Sequence, residues 1–275
     1  MSFIDKKMIA QSFGLAANTY DSAAHFQRWV GDKLIVKIPE STPEIIVDLG
    51  CGTGYFSESI SNKFPNANYV GMDLSENMLG FAKGHHSSKC SWVAGDAESL
   101  PFKSNSIDLI FSSLAIQWCS NLPILMKEIK RVLSPTGSFI FSTLLDGSLD
   151  ELKAAWSEVD DKQHVNDFFL EKDYQQAVIE SGLEISLLSE ETKVLKYQKL
   201  TELMRELKEL GAHNLNAERS TGLMGRHKLG RVISAYEKYR VDEDYLPASY
   251  KILWGALIQK DSGFETTLID PVEMC

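Results

Sequence analysis

The chain has 275 residues, of which 44% are hydrophobic and 24% charged, so it predicts one large folded domain and excludes a disordered chain. A net charge of −10 argues against general nucleic-acid binding. The apolar runs are too short for a membrane span and the first residues lack a signal-peptide core, so we expect a cytoplasmic protein.

The first forty residues predict a helical segment that precedes the main domain. Phe13, Ala16, Ala17 and Tyr20 recur at helical spacing, and a second helical run covers residues 23–37. Prolines at positions 39 and 43 end this segment. We expect residues 1–40 to form a helical lid over the domain that follows.

Strand and helix signals then alternate. Short apolar runs predict five strands, at residues 45–48, 69–73, 91–94, 107–112 and 138–143. Amphipathic stretches between and after them predict helices at residues 55–64, 75–83, 122–133 and 148–160. This alternation predicts an α/β fold with a mostly parallel sheet and helices on both faces.

The last third of the chain predicts a helix, two more strands and a helical insertion. The helix covers residues 171–181, and the strands cover residues 183–195 and 250–257. We assign residues 41–260 to the main domain, residues 197–245 to a basic helical insertion before the last strand, and residues 261–275 to a peripheral tail.

Charge is distributed unevenly along the chain. The segment from Lys193 to Arg240 carries a net charge of +6, whereas the remainder carries −16. This asymmetry predicts an anionic partner for the segment, although two solvated basic helices explain it equally well.

A glycine-rich loop, residues 50–54 with sequence GCGTG, follows the first predicted strand and precedes a helix. Ligands of open α/β sheets bind beyond the carboxyl ends of such strands, and Asp73, at the end of the second strand, is placed to accept hydrogen bonds from ribose hydroxyls. A dinucleotide fingerprint requires glycine or alanine at position 55, which is Tyr55 here. Asp48 suits an ammonium group better than a diphosphate. The loop therefore predicts S-adenosylmethionine rather than a dinucleotide.

Several stretches together resemble the motifs of class I S-adenosylmethionine-dependent methyltransferases, whose fold is Rossmann-like with seven strands. They are VDLGCGTG at 47–54, VGMDLS at 70–75, GDAESLPF at 95–102, DLIFS at 108–112 and RVLSPTG at 131–137. The resemblance implies that Asp73 binds the ribose, Asp96 and Ala97 the adenine, and Gly50 and Gly52 the methionine portion. The full set that it implies for S-adenosyl-L-methionine, and for the product S-adenosyl-L-homocysteine, is Tyr20, Asp48, Gly50, Cys51, Gly52, Asp73, Leu74, Met78, Asp96, Ala97 and Ser113.

Segments outside those motifs resemble the malonyl-[acyl-carrier protein] O-methyltransferases of biotin synthesis. They are SFGLAANTYDSAA at 12–24, SLAIQWC at 113–119, the stretch 141–152, LKELGAHN at 207–214 and GLMGR at 222–226. This resemblance, over residues 9–257, implies methylation of the free carboxylate of malonyl-acyl carrier protein, giving the methyl ester that primes pimeloyl synthesis. Because acyl carrier protein is acidic, we expect its malonyl-phosphopantetheine form to dock on the basic segment 193–240.

The expected reaction needs no acid or base residue, because the methyl donor is already activated and a carboxylate is already ionised near neutral pH. The candidates for positioning the substrate are Tyr20, Gln117, Trp118, His213, Asn214, Arg219 and Arg226. Each has an ordinary alternative: a core aromatic, a helix end or a surface arginine. Lys208 and Arg231 are candidates for docking, and Asp108 for a structural role.

Four cysteines, at positions 51, 90, 119 and 275, form neither a CxxC pair nor a cluster with histidine, which predicts reduced thiols and no metal site. Two other functions stay open. One is a class I methyltransferase acting on a small carboxylic acid or a quinone ring. The other is a regulatory scaffold that binds S-adenosylmethionine without catalysis.

Overall fold

A sheet of seven strands organises the part of the chain that the computed structural model describes, residues 5–212 and 225–259. Its strands lie in the order β3-β2-β1-β4-β5-β7-β6. Strands β1 to β5 pair in parallel, whereas β7 runs antiparallel to both β5 and β6. The strands are β1 Ile45–Leu49, β2 Asn68–Asp73, β3 Ser91–Ala94, β4 Ile107–Ser113, β5 Leu133–Leu144, β6 Leu183–Tyr197 and β7 Leu246–Gln259.

Helices cover both faces of this sheet. They are α1 Lys6–Ala23, α2 His25–Val36, α3 Ser57–Lys63, α4 Glu76–His85, α5 Leu122–Val132, α6 Asp150–Ser157, α7 Glu171–Ser181, α8 Leu200–Glu209 and α9 Arg226–Tyr236, with 3₁₀ turns at Ile116–Trp118 and Glu237–Tyr239. None of the helices in the described ranges combines the length and the apolar composition that crossing a bilayer requires.

Two hydrophobic cores fill the space between sheet and helices. Alternate residues of β4 point to opposite faces, so Phe111 joins the core beneath α2, α6, α8 and α9, and Ile110 joins the core beneath α5 and α7. The predicted class I methyltransferase fold, with a mostly parallel seven-stranded sheet, an N-terminal helical segment and a helical insertion before the last strand, is confirmed.

The boundaries of several elements differ from the prediction. The N-terminal segment bends at Ala24, which separates α1 from α2. Strand β5 begins at Leu133 rather than at residue 138, because Leu133 pairs with Ile107 before an irregularity takes up the residues around Pro135. Residues 213–224, within the predicted insertion 197–245, and the predicted tail 261–275 lie outside the described residues.

The order of the strands creates the place for a ligand. The chain leaves β1 toward β2 and β3 on one side, and β4 and β5 lie on the other. The carboxyl ends of β1 and β4 are therefore followed by loops that diverge, and the crevice between them is where open α/β sheets bind ligands.

A close contact between α2 and the segment after the glycine loop gives a test of this packing. A Cβ added at Gly31 would lie 2.0 Å from the ring of Phe56, which packs against Tyr55 and Phe111. We expect Gly31→Ala to lower the free energy of unfolding by about 1–3 kcal/mol through overpacking, as measured by denaturant titration. Gly80→Ala, in an open position of α4, should instead raise it by about 0.5–1 kcal/mol. Equal effects of the two substitutions would contradict this packing.

Candidate functional site

A cavity lies at the carboxyl ends of β1, β2 and β4, and α1 forms the wall facing these ends. Its lining from α1 consists of Lys6, Ile9, Phe13 and Tyr20. The sheet side contributes residues from the ends of the strands and the loops that follow them: Leu49, Gly50, Gly52, Met72, Asp73, Leu74, Met78, Gly95, Asp96, Ala97, Ser113, Leu114, Ala115, Ile116, Trp118 and Cys119. Nine of the predicted cofactor residues are thus brought to one cavity.

Glycine is needed at two positions of the loop, Gly50 and Gly52, for different structural reasons. Both Gly50 and Gly52 have positive φ, at 76° and 54°. A Cβ at Gly50 would lie 2.2 Å from the Cβ of Ala115, so glycine is required there by the approach of the β4 end. A Cβ at Gly52 would meet nothing within 4 Å. Gly52 is therefore the position where a bare backbone leaves room beside the cavity.

Asp73 joins the glycine loop to the start of α4. Its Oδ2 accepts a hydrogen bond from the Gly52 N–H at 2.9 Å, and its Oδ1 accepts one from the Ser75 N–H at 2.8 Å. Burial raises the pKa of Asp73, while these backbone hydrogen bonds act against that rise. The carboxylate thus lies at the cavity wall with lone pairs still available to a ligand.

A second cavity adjoins the first through Tyr20, Gly50, Gly52 and Ser113. The predicted residues Asp48 and Cys51 line this one rather than the first, together with residues of α1 and α2 that the sequence did not suggest. Those additions include Asp21, Gln27 and Arg28.

Asp48 and Gln27 bring oxygen acceptors to the second cavity. Asp48 is buried and accepts a hydrogen bond from Tyr69 Oη at 2.6 Å. Burial raises its pKa to about 7, against the effect of the Tyr69 hydrogen bond, and the charge of Asp73 adds to the rise. The buried Oε1 of Gln27 has no hydrogen-bond partner among the described residues. A ligand with a cationic or hydrogen-bond-donating end would satisfy both groups.

Lys6 is a lining residue that sequence reasoning missed. Its Nζ lies 2.6 Å from Asp96 Oδ2 and 2.5 Å from Glu98 Oε2. Burial acts to lower the pKa of Lys6, but the hydrogen bonds to the two carboxylates outweigh it and the pKa is raised. The missed signal was the helical spacing itself, because Ile9, Phe13 and Tyr20 line the cavity from the same helix.

Aromatic residues close the apolar part of the first cavity. The rings of Phe13 and Trp118 meet edge to face with centroids 5.2 Å apart, and Ile9 and Leu74 pack with them. Tyr20 lies between the two cavities, and burial, with the charges of Asp73 and Asp21, raises its pKa. Its hydroxyl therefore stays protonated at neutral pH.

Gln117 does not line either cavity, contrary to the prediction. The 3₁₀ turn Ile116–Trp118 directs its side chain into the core, where its Nε2 donates to the Leu114 carbonyl at 2.8 Å. Its Oε1 accepts from Thr143, whose hydroxyl also bonds to Tyr174. Gln117 is thus part of a buried network beneath the cavity wall.

Other predicted substrate residues cannot be placed. His213, Asn214 and Arg219 lie outside the described residues, and Arg226 begins α9 with a side chain that is not described. Asp108 has the structural role predicted for it, because its Oδ2 accepts the N–H groups of Glu44 and Ile45. Cys51, Cys90 and Cys119 are free thiols.

Most described cations of the segment 193–240 are already matched within the protein. In α9, Lys228 pairs with Asp160, and Arg231 donates to the carbonyl oxygen of Glu158 at 2.8 Å. Farther along, Lys238 pairs with Glu158. Three more have partners: Lys193 and Lys196 lie over aromatic rings, and Arg240 pairs with an acidic residue. In the described ranges, the cations of this segment left without an ion pair, a ring contact or a side-chain hydrogen bond are Lys199, Arg205 and Lys208.

Comparison with known proteins shows the class to which this fold and site belong. Residues 47–141 match the model of a methyltransferase domain family. The solved YcgJ protein of Bacillus subtilis is 19% identical with a TM-score of 0.58, covering 84% of this chain and 97% of that one. Geranyl diphosphate C-methyltransferase of Streptomyces coelicolor, solved with S-adenosyl-L-homocysteine, is 14% identical with a TM-score of 0.51, covering 83% and 78%. The fold is that of the class I methyltransferases.

Closer relatives define the family. The malonyl-[acyl-carrier protein] O-methyltransferase of Hahella chejuensis is 40% identical over 250 residues, covering 90% of this chain and 89% of that one. The enzyme of the same name from Methylococcus capsulatus is 39% identical, covering 93% and 94%. The chain belongs to the malonyl-[acyl-carrier protein] O-methyltransferase family. It spans about half the length of another relative, the biotin biosynthesis bifunctional protein BioHC of Cellvibrio japonicus, which is 44% identical.

The buried Asp48 predicts a pH dependence of stability. Its pKa is about 7 in the folded protein and 3.8 ordinarily, so the folded state keeps a proton that the unfolded chain releases as pH rises. The free energy of unfolding should therefore fall by up to about 4 kcal/mol between pH 4 and 7 because of this group. Asp48→Asn, which keeps an acceptor for Tyr69, should lack that fall and be more stable than the wild type at pH 8. Denaturant titrations across this range that give parallel curves would contradict the assignment.

Proposed function

We propose that this chain transfers the methyl group of S-adenosylmethionine to the free carboxylate of malonyl-acyl carrier protein, giving the methyl ester that primes pimeloyl synthesis for biotin. The observation that carries the proposal is the pair of adjoining cavities at the strand ends, in a chain 40% identical over most of its length to a relative named for this reaction.

The residues present fit S-adenosylmethionine at both of its ends. Asp73 and Asp96, with Ala97, offer acceptors and a small side chain to the nucleoside in the first cavity. Asp48 and Gln27 Oε1, which lacks a partner in the ranges that the structure describes, offer acceptors to the ammonium group in the second cavity, and Arg28 offers a cation to the carboxylate. The two cavities meet at Gly52, where the bare backbone allows a ligand to pass from one to the other.

Positioning and exclusion of water are the contributions that we assign to the protein. S-adenosylmethionine supplies an activated methyl group when bound, and the acceptor carboxylate is ionised near neutral pH. No side chain is needed to move a proton, which agrees with a protonated Tyr20 in the cavity wall. Phe13 and Trp118 shield the reacting region from water, and alignment alone can contribute roughly 7–11 kcal/mol.

The cation that holds the malonyl carboxylate is not found among the described lining residues. Lys6 is engaged by two carboxylates, and Arg28 lines only the second cavity. Arg219 and Arg226 therefore stay the proposed contacts, because a guanidinium can bind a carboxylate through two hydrogen bonds.

We place the docking of acyl carrier protein on α8 rather than on the whole segment 193–240. Lys228 of α9 and Lys238 of the turn after it pair with acidic groups of the protein itself, and Arg231 donates to a backbone carbonyl. Arg205 and Lys208, in contrast, are exposed on one face of α8 without ion pairs among the described residues. Helix α8 also contacts α1, since Thr19 donates to the Glu209 carbonyl at 3.1 Å. Docking there would bring the carrier beside the wall of the first cavity.

The domain limits and the location in the cell belong to the same proposal. We propose a lid of residues 1–40, a domain of residues 41–260 and a peripheral tail of residues 261–275. A cytoplasmic location agrees with the free thiols of Cys51, Cys90 and Cys119.

A comparison of acceptors tests the proposed substrate. With S-adenosylmethionine labelled in the methyl group, we expect methyl transfer to malonyl-acyl carrier protein with kcat/KM at least tenfold above that for free malonate, because only the former uses the docking helix. Equal efficiency on free malonate or another small acid, or transfer to a quinone ring, would favour the alternative methyltransferases. Binding of S-adenosylmethionine without transfer to any malonyl thioester would favour the regulatory scaffold.

Charge reversal on α8 tests the docking face. We expect Arg205→Glu/Lys208→Glu to raise KM for malonyl-acyl carrier protein about tenfold with kcat unchanged, and added salt to raise the wild-type KM. Lys127→Glu/Lys172→Glu is the matched control, since it reverses two exposed lysines of α5 and α7 and changes the net charge equally. The same increase in both double variants would show a general charge effect and exclude α8 as the docking face.

A further inference from the structure

The first cavity has one cationic side chain among its described lining residues, that of Lys6, and this side chain pairs with residues that are distant in the sequence. It belongs to α1, but its two partners, Asp96 and Glu98, belong to the loop after β3, 90 and 92 residues away in the chain. The Lys6 side chain is 30% exposed, so its ion pairs lie at the rim of the cavity and not in the core.

Each partner of Lys6 also accepts hydrogen bonds from backbone N–H groups. Asp96 lines the cavity, and its Oδ1 is occupied by the Glu98 N–H at 2.9 Å, so Lys6 fixes the direction of the second oxygen. Glu98 accepts the N–H groups of Ser120 and Asn121, directly after the turn that carries Trp118. Lys6 therefore joins α1 to two separate parts of the cavity wall.

The two halves of α1 are held differently. The C-terminal half is fastened to the body by Thr19, which donates to Glu209, and by Asp21, which accepts from Thr53 at 2.7 Å. In the N-terminal half, Ser12 donates to the Gly211 carbonyl after α8. Within the described residues, the polar contacts from α1 side chains to the sheet side of the cavity are those of Lys6, with Ile9 and Phe13 as apolar contacts. Partly exposed ion pairs are individually weak, so the first turns of α1, which precede Ser12, are the part of the helix that separates from the wall most easily.

We infer that Lys6 is a latch that closes the N-terminal half of α1 over bound S-adenosylmethionine and orients Asp96 toward the adenine. The inference rests on the proposed function. A carboxylate oxygen has two lone pairs, so Asp96 Oδ2 can keep its contact with Lys6 while it accepts a hydrogen bond from a ligand. Lys6 is therefore a positioning residue, and its loss should speed release of the nucleoside without changing the transfer step.

The experiment measures binding rather than activity. The dissociation rate and Kd of S-adenosyl-L-homocysteine are determined for the wild type, Lys6→Met, Lys6→Arg and Lys7→Met, together with amide hydrogen exchange over residues 6–13. Lys7 is the matched control, since it is the next residue of the same helix and is exposed. We expect Lys6→Met to raise the dissociation rate of S-adenosyl-L-homocysteine about fivefold and to increase amide hydrogen exchange in α1. Lys6→Arg should have a dissociation rate within twofold of the wild type, and Lys7→Met should show no change in either measurement.

Kinetics separate a latch from a general structural role. Lys6→Met should raise KM for S-adenosylmethionine while kcat at saturation and KM for malonyl-acyl carrier protein stay within twofold. Unchanged dissociation in Lys6→Met, or equal changes in Lys6→Met and Lys7→Met, would overturn the latch and leave the proposed function intact. A wild-type protein that does not bind S-adenosyl-L-homocysteine would overturn the proposed function and the latch with it.

Discussion

Asp48 and Asp73 withdraw two carboxylates from water at the ends of neighbouring strands, and the geometry of the site depends on how each is compensated. Asp73 receives two backbone N–H groups, which fix the glycine loop against the start of α4. Among the described residues, the side chain of Asp48 accepts a hydrogen bond from the Tyr69 hydroxyl alone, and burial raises its pKa to about 7. The second cavity is thus lined by an undercompensated acid and by Gln27, whose Oε1 has no hydrogen-bond partner within the described part of the chain. Such a pocket is costly alone and stabilised by a ligand that brings donors.

The remaining walls of the site follow from this arrangement at the strand ends. Leu114, directly after β4, has a positive φ of 49°, a conformation rare for a side chain of this kind. It is followed by Ala115, whose approach requires glycine at position 50. The strained backbone at Leu114 therefore lies in the wall of the first cavity, and backbone strain of this kind is common at functional sites.

Local motifs made much of the fold and of the site predictable. The loop around Gly52, and Asp73 and Asp96 after the next strands, could be placed because strand ends of a parallel sheet meet at one edge and each motif is contiguous. Gln117 was predicted to position the substrate, but a 3₁₀ turn rotates its side chain into the core. Lys6 was missed because its role in the site depends on the carboxylates of Asp96 and Glu98, about ninety residues away, and no local sequence pattern indicates such a contact.

Charge counting along the chain had the same limitation. The net charge of +6 in the segment 193–240 suggested a docking surface. However, Lys238 forms an ion pair with Glu158, 80 residues away in the chain, and Lys228 forms one with Asp160. These pairs fasten α9 to the end of α6, so much of the basic charge serves the attachment of the insertion.

The unpaired cations of α8 have a second consequence, because α8 and the residues that end it also support α1, through Ser12 and Thr19. The Ser12 hydroxyl donates to the Gly211 carbonyl at 3.0 Å, and a Cβ at Gly211 would lie 2.8 Å from the Ser12 carbonyl oxygen. The segment that ends α8 is therefore in direct backbone contact with α1. Any force that a carrier protein exerts on α8 acts on α1, which forms a wall of the first cavity, so the proposed docking face packs against the helix that carries the proposed latch.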